Sequence, residues 1–270
     1  MSNGNQANVM RIIFKHEGGY VDHPRDPGSA TNMGITIFTL KEWRGRDVTK
    51  AEVKALTKAE ATQIYEARYW LPLNCHNLPD GWDLIAMDGG VNSGVSRGAK
   101  WLQKAVGAKA DGKIGPDTLK KTILAGQPGI QKAAEIRMGF LRGLRHWGVF
   151  GKGWSRRVAE TEAEATRMYL QTRHAADAGT VEGWLKGLKD AALGRSEKEK
   201  RNAGGISVGT GGGAAASWEI GWENVGLPTE ILIPILVALC GFFVLRALHR
   251  SRFQRERARA LEKSIQEVFK

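Results

Sequence analysis

NVMRIIFKHEGGYVDHPRDPGSATNMGIT, residues 8–36, changes character half-way. Val9, Ile12, Ile13 and His16 recur at helical spacing, so Asn8 to Glu17 reads as a helix with one buried stripe. Gly18 and Gly19 stop it, and a loop rich in Asp, Gly and Pro runs on to Gly34-Ile35-Thr36. Working outward, the rest of the first 175 residues repeats this grammar of amphipathic helices joined by Gly-rich connections. The fold class is therefore mainly α.

The same stretch carries the chemistry. Glu17 falls in the last helical turn, where the carbonyl ends disfavour a second negative charge, so it is expected to hold its proton; burial beside Tyr20 would act the same way. Asp22 and Asp26 sit on a solvated loop that favours ionisation. Two carboxyl groups in unlike settings are the usual equipment for cleaving a glycosidic bond. A Glu at a helix end before Gly-Gly is by itself more often structural than catalytic. The full string HEGGYVDHPRDPGSATNMGIT, residues 16–36, resembles the signature of glycoside hydrolase family 108, the N-acetylmuramidases found as phage endolysins and bacterial secretion-activating proteins. The resemblance implies that Glu17 is the essential catalytic residue. A looser likeness, to the Glu, eight residues, Asp, then Thr arrangement of phage-type lysozymes, maps onto Glu17, Asp26 and Thr31. Thr31 stands one place closer to the Asp than in those enzymes, which leaves Thr36 as a rival for orienting water or substrate.

Several function classes are excluded or weakened by composition. Among 270 residues there are two cysteines, Cys75 and Cys240, with no metal-ligand spacing, and the histidines form no cluster; neither a metal nor an organic cofactor is expected. The net charge of +12 raises nucleic acid as a partner, but the basic residues are spread and no zinc-finger, RRM or KH pattern occurs, so no nucleic acid is expected. An anionic cell wall fits the charge better, through electrostatic attraction that salt would weaken.

Thr49 with Glu52 and Thr57 with Glu60 match capping boxes, and the second helix runs to Tyr69-Trp70 before Pro72. Trp82 to Val91 is the next helix. Gly89, Gly90 and Gly94 around Asn92-Ser93 permit close backbone approach, for a carbohydrate groove or, more commonly, for helix packing. Asp88 reads as a helix-end or structural residue. From Asp88 to Lys121 the pattern is helix, turn, helix, with Asp111-Gly112 as the turn and Pro116 opening the second helix. This segment resembles the peptidoglycan-binding region of family 108 proteins, with its LQ-x-A-x-G and DG-x-x-GP-x-T elements at 102–107 and 111–118. A helix from about Ile130 to His146 follows, then Phe150-Gly151-Lys152-Gly153-Trp154-Ser155-Arg156-Arg157, similar to the family's closing FGKGW-x-x-R element. Trp147 and Trp154 suit either sugar stacking or the core. Tyr20, Asn92 and Trp154 are the substrate-binding candidates. The resemblance spans about residues 8 to 173.

Beyond 175 the composition shifts. An amphipathic helix with Val181, Trp184, Leu185 and Leu188 leads into the charged run 195–201, then a Gly-rich stretch, 204–213, that reads as a linker. Val225 to Leu245 is apolar apart from Glu230 and a few small or polar residues, and includes ILIPILVALCGFFVL from Ile231. At roughly 20 residues it is long enough to cross a bilayer. Trp218 and Trp222 lie on one flank; Arg246, His249, Arg250 and Arg252 lie on the other, so the tail is expected to be cytoplasmic. No N-terminal signal peptide is visible, which leaves open whether the span directs export or the domain waits inside until the membrane is breached. The tail, with Phe253, Leu261 and Ile265, suits a membrane surface, a second copy or solvent equally.

The expectations are therefore these. Residues 1–90 form a muramidase catalytic region and 91–175 a peptidoglycan-binding helical region packed on it; 176–217 hold a charged helix and linker, 225–248 a transmembrane helix and 249–270 a basic tail. The lysozyme-like domain would cleave the β-1,4 bond between N-acetylmuramic acid and N-acetylglucosamine while anchored in the host inner membrane. Its partners would be peptidoglycan and the lipid bilayer, with self-association through the span. The competing class is a non-catalytic wall-binding or holin-like membrane protein that has kept the fold.

Overall fold

In the computed structural model the helix read from residues 8–17 starts slightly earlier, as α1, Gln6–Glu17, and buries Val9, Met10, Ile12 and Ile13. Gly18 ends it with a φ of 76°, a conformation that favours glycine. The structure describes residues 4–22, 30–173, 177–204 and 229–268, which fall into two units, 1–177 and 178–270. The first unit joins the expected catalytic and wall-binding regions in one body.

After α1, a two-stranded antiparallel hairpin pairs β1, Thr31–Asn32, with β2, Ile35–Thr36, placing Thr31 opposite Thr36. Val21 bridges to Thr31 on the other side. Helices α2 (Ile37–Arg44), α3 (Lys50–Lys54) and α4 (Lys58–Tyr65) complete the N-terminal part. Thr49 forms the full capping box expected with Glu52. At Thr57 only half the box exists: its hydroxyl accepts from the Glu60 amide, while the Glu60 carboxylate is held by Arg44 at 2.7 and 2.8 Å. A partly exposed ion pair replaces the local reciprocal bond. Chain direction continues from α4 into a π-helical turn, Glu66–Trp70, and stops before Pro72 as expected.

The central helix α5, Trp82–Ser93, is buried along most of its length. It packs on α6, Val95–Ala105, so closely that a Cβ at Gly98 would lie 2.5 Å from the Gly90 amide nitrogen. Gly89 and Gly90 thus serve helix packing, which decides between their two sequence readings. Gln103 of the LQ element donates to Asp111 and to the Lys113 carbonyl and accepts from the Gly112 amide, so this motif ties its own turn together.

Two 27-residue helices close the unit: α7, Pro116–Arg142, and α8, Trp147–Arg173. In α7 the helix breaks at Gly126 (φ 55°) just before Pro128, so the two helices expected on either side are present but nearly abut. Its second half ends at Arg142, short of the expected His146. The buried stripe is Ile130, Ala133, Ala134, Arg137, Met138 and Leu141. The FGKGW element lies within the first turns of α8.

In the second unit α9, Ala178–Gly204, and α10, Thr229–Gln266, form an antiparallel pair. Register is fixed by Lys189–Glu262 at 2.7 Å and by the Ser196 and Ser251 hydroxyls at 3.0 Å. Val181, Leu185 and Ala192 are buried on α9; Phe253, Leu261 and Ile265 are buried on α10. The tail residues thus find their apolar partner within the chain.

The expected span over 225–248 is corrected. Residues 225–228 lie outside the described residues, and among the described residues no helix is long and apolar enough to cross a membrane. Instead one continuous helix joins the apolar stretch to the basic tail, and Arg246, Arg250 and Arg252 end its apolar part. The linker expected after Gly204 lies outside the described residues, as do Trp218 and Trp222.

Candidate active site

Four charges of alternating sign meet where α1, α5, α7 and α8 converge. Arg157 on α8 donates through Nη2 to Glu17 Oε1 at 2.7 Å and to Asp88 Oδ1 at 2.8 Å, and through Nε to the same Asp88 oxygen at 2.9 Å. The other Asp88 oxygen accepts from Arg137 of α7 and from the Thr161 hydroxyl at 3.2 Å. Asp88 is fully buried and Arg137 nearly so, whereas Glu17 and Arg157 keep 18% and 16% of their side-chain surface exposed. The cluster therefore runs from the interior outward and ends on Glu17. Its formal charges cancel, which is the condition under which buried ions are tolerated.

Burial alone would push the Asp88 carboxyl up, but the two guanidinium groups outweigh it and hold Asp88 below its ordinary value. Burial likewise works against the charge on Arg157, and Asp88 and Glu17 more than restore it. His16, one residue before Glu17, is pushed down mainly by burial, with Asp88 opposing and Arg157 adding to the shift. Arg157 is thus a permanent cation, oriented by Asp88 and aimed at Glu17.

The hairpin supplies the opposite wall. Gly34, with φ of 74°, lies so close that a Cβ there would collide with the Tyr65 hydroxyl and come within 2.8 Å of Glu17 Oε2. Tyr65 donates to the Met33 carbonyl at 2.9 Å, and its hydroxyl is pushed well up, first by burial and then by the Glu17 charge. Glycine at position 34 serves both the turn and the space beside the carboxylate.

The sequence-derived candidates divide. Glu17 is the one placed in the cluster, and its close partner is a guanidinium rather than the aromatic wall expected from Tyr20. Tyr20 packs on the hydrophobic core, with Lys54 Nζ 5.9 Å from its ring centre. Asp22 is exposed and pairs with Lys50 at 3.0 Å. Asp26 lies outside the described residues. Thr36 caps α2 by accepting from the Thr39 amide at 3.2 Å, so its hydroxyl has a structural task; Thr31 is its cross-strand partner. Asn92 is exposed in the last turn of α5. Trp154 is half-buried one turn before Arg157, in ring contact with Trp147 and with Phe150. Helices α5 and α8 run antiparallel, since Gly81 abuts Ala165 while Asp88 meets Arg157. Asn92 and Trp154 therefore occupy the same end of this helix pair. Neither Trp147 nor Trp154 is a core residue.

Sequence reading missed Arg137, Tyr65, Gly34 and the role of Asp88. One signal was available: Arg137 interrupts an apolar helical stripe, and Asp88 sits inside the apolar run WDLIAMDGG. A charge on each of two buried faces predicts that the faces meet.

Residues 10–94 match the glycosyl hydrolase 108 family. Among solved structures, one described as the structure of Brucella abortus SagA is 45% identical, with a TM-score of 0.56, and the match covers 62% of this chain and 97% of that one. This chain belongs to glycosyl hydrolase family 108. No curated protein matches it. As a family 108 member it is a glycoside hydrolase of the peptidoglycan-directed kind, and its matched segment contains Glu17, Gly34, Tyr65 and Asp88. The two arginines that complete the cluster come from α7 and α8, beyond that segment.

Proposed function

We propose that the protein is an N-acetylmuramidase that hydrolyses the β-1,4 bond between N-acetylmuramic acid and N-acetylglucosamine, acting as an endolysin in host lysis or local wall opening. The observation that carries this reading is the Glu17 carboxyl group, presented at the end of α1 and held by an arginine that is itself fixed by a buried aspartate. Glu17 is the general acid: it gives its proton to the glycosidic oxygen as the C1–O bond breaks and the sugar takes on oxocarbenium character. Asp26, or Asp22 once released from Lys50, supports the attacking water or the developing positive charge. Thr31 is the better candidate for orienting that water, because Thr36 is engaged as a cap. Trp154 and Asn92, at one end of the α5–α8 pair, offer an aromatic face and an amide to the sugar.

Membrane attachment through the apolar part of α10 belongs to the same proposal. Val237, Leu239, Phe242, Phe243 and Leu245 are exposed within the second unit, and the α9–α10 register places most of them beyond the end of α9. Fractionation of cells making the full chain, with and without 225–270, tests the attachment; a full chain that stays in solution without detergent contradicts it. For the reaction, digested peptidoglycan is reduced with borohydride and its new ends identified. Reduced N-acetylmuramic acid is expected, and reduced N-acetylglucosamine would overturn the bond assignment.

A further inference from the structure

An open cavity of about 680 Å³ lies between α1 and α4, immediately past the catalytic carboxylate. Met10, Phe14 and Met33 give it an apolar lining, and Arg11, Lys15 and Lys58 bring three cations to it. Among the described residues these cations form no salt bridge, and none of the described lining residues is a carboxylate. Its other walls tie it to the active site. Gly18 and Gly19 directly follow Glu17, and Met33 adjoins Gly34, which abuts the Glu17 carboxylate. On α1, Phe14 and Met10 stand one and two turns before Glu17 on the same side of the helix.

We infer that this cavity binds the acidic peptide stem carried by N-acetylmuramic acid. The inference rests on the muramidase reading and names what that enzyme recognises besides sugar. A muramic acid residue positioned at Glu17 carries its lactyl-linked peptide within reach of the neighbouring surface. The stem combines alanine methyl groups with free carboxylates, which matches an apolar lining beside cations that pair with no carboxylate of the described residues. A neutral stretch of glycan brings no counter-charge to these three cations, and among the described lining residues it finds one aromatic ring, Phe14, to stack on.

The test compares two soluble substrates, uncrosslinked glycan strands that keep their stems and the same strands stripped by an amidase. Three full-length proteins are used: wild type, the triple variant Arg11→Gln, Lys15→Gln, Lys58→Gln, and a charge-matched control on α9, Lys186→Gln, Lys198→Gln, Arg201→Gln. All six positions are exposed, so folding is retained and is checked by thermal unfolding. The cavity variant should lose about tenfold in kcat/KM on stem-bearing strands, mostly through KM, which is the scale of two or three exposed ion pairs. On stripped strands it should equal wild type, and the control should equal wild type on both. An equal loss on both substrates, no loss on either, or the same loss in the control overturns the assignment while leaving the muramidase reading intact. A wild-type protein that cuts neither substrate overturns both.

Discussion

Helix α5 carries two fully buried aspartates, Asp83 in its first turn and Asp88 further along, and the two ends treat them in opposite ways. Asp88 is enclosed by Arg137, Arg157 and Thr161 and is held below its ordinary range. Among the described residues the donors to Asp83 are neutral, including the Asn5 amide at 2.8 Å and the Leu84 backbone N–H at 2.7 Å, and burial pushes it up to about 7. Burial is common to both, so the partners decide. A buried carboxylate with cations becomes a fixed charge that organises the candidate site; one with neutral donors becomes a proton-binding site that affects stability.

Removing Asp88 should have the largest effect. Asp88→Asn leaves the buried Arg137 without the Asp88 carboxylate and Arg157 with Glu17 alone, and such breaks typically cost about 3–5 kcal/mol, a large share of a domain's stability. Urea unfolding should show that loss, and residual folded protein should be less active because Arg157 no longer has its fixed orientation. A variant as stable as wild type would mean the cluster is not electrostatically coupled.

Asp83 makes the contrasting prediction, with a sign that follows from its raised value. Between about pH 4 and pH 7 the folded state keeps a proton that the unfolded chain releases, so the contribution of Asp83 to stability falls as pH rises through that window and is flat above it. The drop is at most about 4 kcal/mol. Asp83→Asn should remove it, stabilising the protein at pH 8 by roughly 1–3 kcal/mol while changing little at pH 4. Asp88 acts in the opposite sense: its stabilisation is present above its unfolded value and is lost in acid below it. Thermal unfolding from pH 3 to pH 8 separates the two; a pH profile unchanged by Asp83→Asn would contradict the assignment.

The same contrast explains what was legible in the sequence. Local features could be read. The α1 stop at Gly18, the Thr49–Glu52 box and the Asp111-Gly112 turn depend on residues within a few positions of each other, and all three are present. Glu17 was legible through its helix-end setting and the surrounding string. The partners of Glu17 were not, because Arg157 lies 140 residues away and Asp88 a further set of contacts from α7. Helical spacing tells which face is buried, and nothing in it tells which buried faces meet. The apolar stretch after 225 was equally plain as composition, yet its continuity with the tail and the tail's packing on α9 are tertiary facts.

Smaller effects refine the site side of the comparison. Gly34→Ala forces a left-handed backbone and a Cβ against the Glu17 carboxylate, so activity should fall at least tenfold while stability drops by about 1–3 kcal/mol. Steady-state rates together with unfolding measure both; loss of stability alone would place Gly34 outside the site. Thr49→Ala, which touches neither aspartate, should cost about 1 kcal/mol through its cap and leave the specific activity of folded protein unchanged.

The account stands most directly on Glu17. Initial rates of peptidoglycan solubilisation, measured for full-length wild type and Glu17→Gln with thermal unfolding in parallel, isolate its proton from its shape. The predicted result is a loss of about 100-fold or more, the usual contribution of a general acid, in a variant that remains folded. Equal rates for the two proteins would contradict the account.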